Sequence, residues 1–162
     1  PMAALGNAMS TYTAQNLGAR RYQRVHEGYL SGAKIIGLFA LAFCIILAFF
    51  HTPIISLFLG EDSTELAIKT GTDFLKFIGW FFILIGLKML TDGVLRGAGD
   101  TRVFTMANLV NLSIRVSISA LLAPVFGVAI VWYAIPMGWL ANFLISFREY
   151  HRNKWKYVPA TT

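Results

Sequence analysis

AKIIGLFALAFCIILAFFHT, Ala33 to Thr52, decides the fold class. Its one charge, Lys34, sits at the edge of a run otherwise free of charged groups. About 20 mostly apolar residues are what a helix needs to cross a bilayer. Three more stretches repeat the pattern. Residues 72–92 are apolar but interrupted by Asp73, Lys76, Lys88 and Asp92, residues 103–123 carry only Arg115, and residues 127–147 carry no charge. Residues 1–16 are uncharged but short, and read as the second part of a span. The expectation is an all-α polytopic transmembrane helix bundle of four full spans and one partial span.

Composition points the same way. Hydrophobic residues are 56% of the chain and charged residues 14%. A soluble domain carries roughly a quarter charged residues, so the bilayer has to cover what a core of 162 residues cannot. The net charge of +6 does not signal nucleic acid. The basic residues lie in short gaps between spans and are not interleaved with an aromatic stripe. The one cysteine, Cys44, lies inside the first full span and reads as lipid-facing or packed. The chain opens on Pro1 and not Met, which reads as a fragment or a processed piece, and residues 1–20 show no basic n-region or small-residue cleavage site and so no signal peptide.

The gaps set an orientation. Arg20, Arg21, Arg24 and Lys34 lie in or beside the first gap, Arg96 and Arg102 in or beside the third, and Arg148, Arg152, Lys154 and Lys156 in the tail 148–162. The gap 53–71 holds Lys69 with Glu61, Asp62 and Glu65. The positive-inside rule then puts 17–32, 93–102 and 148–162 in the cytoplasm. Pro53 is expected to end the first full helix, Leu59 to Ser63 to form a turn, and Asp62 with Glu65 to mark the next helix start. Asp100 is an expected N-cap after a glycine-rich break, Pro124 and Gly127 an expected hairpin, and Pro136 an expected kink.

No catalytic motif is visible, and His26, His51 and His151 have no paired metal-ligand spacing. Chemistry here means binding and moving something within the membrane. Intramembrane charge is costly and faces protein or a water-filled cavity. Arg115 shares a face with Asn108, Asn111 and Ser119 at i, i+3, i+7 and i+11, read as an interhelical network or a cavity lining. Lys88, Asp92 and Arg96 form an i, i+4, i+8 ladder of ion pairs, with Asp92 an interfacial charge and Lys88 able to snorkel. Glu65, Lys69, Asp73 and Lys76 make a second ladder, read as a solvated helix extension. Asn7, Thr11 and Gln15 form a polar stripe among small residues that allow close helix packing.

Three motifs, in order along the chain, carry a family resemblance. Gln15, Asn16, Gly18 and Ala19 close a small-residue helix before a basic loop. Asp92 to Arg102, DGVLRGAGDTR, resembles a turn motif through Leu95, Arg96, Gly97, Gly99, Asp100 and Thr101. Tyr150 to Lys156, YHRNKWK, resembles a basic tail after a final helix. Together these resemble the multidrug and toxic compound extrusion (MATE) family. The resemblance implies the C-terminal part of a two-lobe, twelve-helix antiporter of the plasma membrane that exports small organic cations. It implies coupling to inward sodium or proton flow, no cofactor, and an N-terminal lobe as partner besides the lipid bilayer. Some branches carry a carboxylate eight positions before the turn's first glycine, where this chain has Ile85. A C-lobe carboxylate of that kind is therefore not expected. The alternatives are a lipid-linked oligosaccharide or polysaccharide flippase of the same superfamily, a non-transporting membrane subunit, and a membrane enzyme, for which no ligand or nucleophile cluster is visible.

Overall fold

The computed structural model describes residues 1–59, 64–127 and 129–152. Among these residues six helices follow one another: α1 Met2–Gly18, α2 Tyr22–Leu59, α3 Glu65–Gly79, α4 Phe82–Gly97, α5 Thr101–Phe126 and α6 Ala129–Arg152. No strand occurs among the described residues. Among the described residues three helices, α2, α5 and α6, are long and apolar enough to cross a membrane, and α3 with α4, bent by 55° at their break, are long and apolar enough together to count as a fourth if the pair is one span. The architecture is a polytopic helical bundle.

Its apolar residues point outward as readily as inward. Leu38, Leu57, Phe58, Leu121 and Val125 are among the most exposed side chains. Water would penalise each of them, and acyl chains do not. The interior is narrow: Val25, Tyr29 and Ile36 of α2 meet Leu90 and Val94 of α4, with Met2 and Met9 of α1 and Tyr150 of α6 around them. α4 is thus the central helix, with α1, α2 and α6 packed on it. Glycine allows the closest approach. A Cβ on Gly93 or Gly97 would overlap the carbonyl oxygen of Gly6 or Ser10 on α1. Small residues let two backbones meet without a side chain between them.

Several boundaries differ from the expectations. Pro53 lies inside α2 and does not end it. Proline removes one backbone donor, and a membrane helix tolerates this where other groups re-satisfy the turn. The carbonyl that loses its donor here is that of Phe49, one turn before the proline. The first gap, expected over 17–32, is reduced to residues 19–21, because α2 begins at Tyr22. Arg20 turns the chain there with a left-handed φ of 55°. The tail expected from 148 is helical through Arg152; Lys154, Trp155 and Lys156 lie outside the described residues.

The span expected over 72–92 is two helices, broken at Trp80 and Phe81. A break strands backbone carbonyls, which need a donor in a membrane. Cys44 provides one: its thiol donates to the Gly79 carbonyl oxygen at 3.1 Å. The cysteine is therefore packed against the break. The Leu59 to Ser63 turn and Asp62 fall outside the described residues after Leu59, and α3 begins at Glu65. Its cap is Thr64, whose Oγ1 accepts from the Ala67 amide at 3.3 Å. At the other end of α4, Gly99 takes a φ of 78° and Asp100 caps α5 by accepting from the Val103 amide at 3.3 Å. Gly127, with a φ of 79°, ends α5, and Pro124 lies within its last turn.

Candidate functional site

The polar residues of α4 meet α5 and α6 at one buried point. Asp92 is 3% exposed, so its charge cannot be stabilised by water. Three side chains replace the water. The Lys88 ammonium lies 2.9 Å from Asp92 Oδ2. Ser146 Oγ on α6 donates to Asp92 Oδ1 at 2.7 Å. Asn108 Nδ2 on α5 donates to Oδ2 at 3.5 Å. Lys88 is itself shared, donating to Asn108 Oδ1 at 3.0 Å. The spacing of Lys88 and Asp92 aligns them on one helical face. Burial converts that local pair into a junction of three helices. Asp92 is thus a buried anchor, where the expectation had an interfacial charge.

Arg96, one turn further on, does not join the pair. Its Nη2 donates to Asn7 Oδ1 on α1 at 3.0 Å, and its guanidinium lies over the Phe104 ring, 5.5 Å from the centroid. A recess of about 170 Å³ opens among α1, α4 and α5, with Asn7, Lys88, Asp92, Arg96, Phe104 and Asn108 on its walls.

The stripe on α1 faces outward. Asn7, Thr11 and Gln15 are exposed, and Thr11 Oγ1 donates within its own helix to the Asn7 carbonyl oxygen at 3.4 Å. The stripe on α5 divides. Asn108 belongs to the α4 junction. Asn111 lies against α6: a Cβ on Gly138 would come 3.0 Å from its backbone oxygen. Asn111 Oδ1 is buried without a hydrogen-bond partner. Arg115 is exposed and makes no hydrogen bond or ion pair among the described residues. With Ser119, Val131 and Ile135 it lines an open groove of about 560 Å³ between α5 and α6. In the turn motif, Leu95 is buried, Gly97 ends α4, Asp100 caps α5 and Thr101 opens it.

Other polar partners were not singled out in the sequence. Tyr29 Oη lies 2.9 Å from Thr91 Oγ1, and both residues are buried. Thr91 also donates to the Leu87 carbonyl oxygen at 2.8 Å. Tyr29 stacks on Tyr150 at 4.4 Å between centroids, and the Tyr150 hydroxyl lies 2.8 Å from His26 Nδ1. This chain of groups joins α2, α4 and α6. Asn142 and Ser146 are both fully buried on one face of α6. Their i, i+4 spacing in a span without charges was the available signal, masked by the apolar residues around it. No group of three or more potential metal ligands occurs among the described residues.

A salt bridge buried among helices, with three helices long and apolar enough to cross a bilayer and an exposed polar stripe on α1, defines a polytopic membrane protein. The MatE family model matches residues 1–121. The chain belongs to the MatE family, and so to membrane transport proteins, not to enzymes. It is similar to the probable multidrug resistance protein YpnP of Bacillus subtilis (strain 168), 26% identical over 163 residues, covering 100% of this chain and 36% of that protein. It is also similar to the probable multidrug resistance protein YoeA of the same organism, 23% identical over 159 residues, covering 96% of this chain and 34% of that protein. The chain thus spans about a third of the length of these relatives. No solved structure matches it.

Proposed function

We propose that this chain forms the C-terminal lobe of a secondary active antiporter that exports drugs or other small organic cations across the plasma membrane. Inward flow of sodium ions or protons drives it, the C-terminus is cytoplasmic, and a second lobe completes the cavity. The buried junction of Lys88, Asp92, Asn108 and Ser146 carries the reading. A charge pair in a spanning segment is costly and marks a working interior. This one ties α4 to α5 and α6, so any change in its pairing alters how those helices seat. The outward polar faces support the second lobe. Asn7, Thr11, Gln15 and Arg115 are exposed on helices whose other exposed residues suit lipid, and a polar stripe needs protein or water instead. The names of both relatives carry drug resistance, which supports drugs as the cargo.

The test is export of a fluorescent organic cation from cells expressing the gene product and its Lys88→Met and Asp92→Asn variants. Energy-dependent export that either variant abolishes, measured per molecule of protein in the membrane, is expected. Residues 1–162 expressed alone should export nothing. Wild-type export by both variants removes the junction from the mechanism, and export by residues 1–162 alone removes the two-lobe reading.

A further inference from the structure

The recess between α1, α4 and α5 has an unbalanced charge. Lys88 and Asp92 neutralise each other. Arg96 is left over. Among the described residues the ion pairs are Lys88 with Asp92 and Glu149 with Arg152, so no carboxylate lies within pairing distance of Arg96. A guanidinium carries five donors in a planar fork. Arg96 uses Nη2 for one hydrogen bond, to Asn7 Oδ1, and its Nε is buried without a hydrogen-bond partner. The Asn7 amide is oriented by that bond: with Oδ1 accepting, its NH2 group remains a donor at the same wall. The Phe104 ring holds the guanidinium from one side. The pattern is a cation with spare donors, a second donor beside it, and a recess of about 170 Å³ in front. Water takes about 30 Å³ per molecule, so the space admits a small polar group with a few waters.

We propose that this recess binds an oxyanion, a carboxylate or phosphate group, on Arg96 and Asn7. Fork-shaped recognition of such groups is what arginine supplies and lysine does not. The oxyanion replaces the counter-charge that Arg96 lacks among the described residues. Two sources present this chemistry: the phosphate of an anionic lipid headgroup, and a free or substrate-borne oxyanion. The inference goes beyond the export reading, since it concerns a bound anion and needs neither a gradient nor an exported cation.

The test measures thermal unfolding of the purified gene product in nanodiscs. One set of discs contains phosphatidylcholine alone, titrated with inorganic phosphate or acetate against chloride at equal ionic strength. A second set contains phosphatidylglycerol as well. A saturable rise in the unfolding midpoint with phosphate or acetate identifies a free oxyanion. A rise confined to the phosphatidylglycerol discs identifies a lipid headgroup. In either case Arg96→Gln should weaken the response about tenfold or more, the loss expected for one charged hydrogen bond. Arg96→Lys should fall between, because the charge stays and the fork is lost. Asn7→Ala keeps the cation, should fold even where Arg96→Gln does not, and should weaken the response several-fold. The proposal is overturned if the wild-type protein responds to none of the three anions, if Arg96→Gln responds as the wild type does, or if Asn7→Ala leaves the response unchanged.

Discussion

Removing one partner of the Lys88–Asp92 pair should cost much more than removing both. The side chains are 12% and 4% exposed, so water screens the pair little. Asp92→Leu deletes the acceptor of Ser146 Oγ and the longer of the two Asn108 Nδ2 contacts, the other going to the Phe104 carbonyl oxygen, and leaves the Lys88 ammonium with Asn108 Oδ1 alone. Breaking a buried pair from one side costs about 3–5 kcal/mol, because the surviving charge is uncompensated. Lys88→Met leaves Asp92 with its Ser146 and Asn108 donors, so its cost should sit near the lower end of that range. Replacing both partners by apolar residues of similar size is often neutral or stabilising. The double variant Lys88→Met/Asp92→Leu should therefore lie at least about 3 kcal/mol above the sum of the two single losses. The assay is reversible unfolding of the gene product in mixed micelles, run as a double-mutant cycle. Additivity within about 0.5 kcal/mol, the behaviour of independent sites, would refute the argument that this pair is one electrostatic unit.

Helix contact gives the next expectation. Gly93→Ala should destabilise by about 1–3 kcal/mol, the usual cost of overpacking, because the new methyl meets the Gly6 carbonyl of α1; Gly37→Ala, with open space around it, should not destabilise, as the same unfolding assay would show. Arg115→Leu should lower export at unchanged abundance without loss of stability, since no partner of Arg115 among the described residues is stranded; Arg115→Lys should recover only part of the export, and wild-type export by the Leu variant would remove Arg115 from the pathway. Tyr150→Phe loses the hydroxyl contact to His26 and should cost about 0.5–1.5 kcal/mol, while its stacking on Tyr29 persists; a loss far outside that range in the unfolding assay would mean the ring packing itself has changed. Orientation is checked by cysteine labelling in a Cys44-free background: in intact cells a cysteine at position 61 should react with an impermeant reagent and one at 154 should not, these positions lying outside the described residues.

Much of the architecture was legible because its signals are local. The charge-free and nearly charge-free runs at 33–52, 103–123 and 127–147 each correspond to a long helix, since burial in a bilayer depends on length and hydropathy within one window. The Arg96 to Asp100 break read correctly for the same reason: a glycine that takes positive φ and a carboxylate that caps the next helix are neighbours in sequence. The misreadings came where a distant group compensated a local signal. Pro53 predicts a helix end, yet α2 continues past it. Residues 72–92 predict one span, yet the chain bends at Trp80 and Phe81, where Cys44 from α2 satisfies a stranded carbonyl.

The site divides along the same line. Helical spacing alone placed Lys88, Asp92 and Arg96 on one face of α4, while their position near a span end suggests an interfacial Asp92 and a snorkelling Lys88. Which partners they take was decided by packing. Glycines at positions 93 and 97 bring α1 against α4, so Arg96 reaches Asn7. The α4–α5 turn and the seat of α6 bring Asn108 and Ser146 to Asp92, so a ladder on one helix becomes a junction of three. Arg115, on the same sequence face as Asn108, is left outside that junction, because a face is shared with whichever helix packs against each turn of it. Periodicity fixes direction around a helix axis; the side chain that waits in that direction belongs to another part of the chain, and only the tertiary structure brings it there.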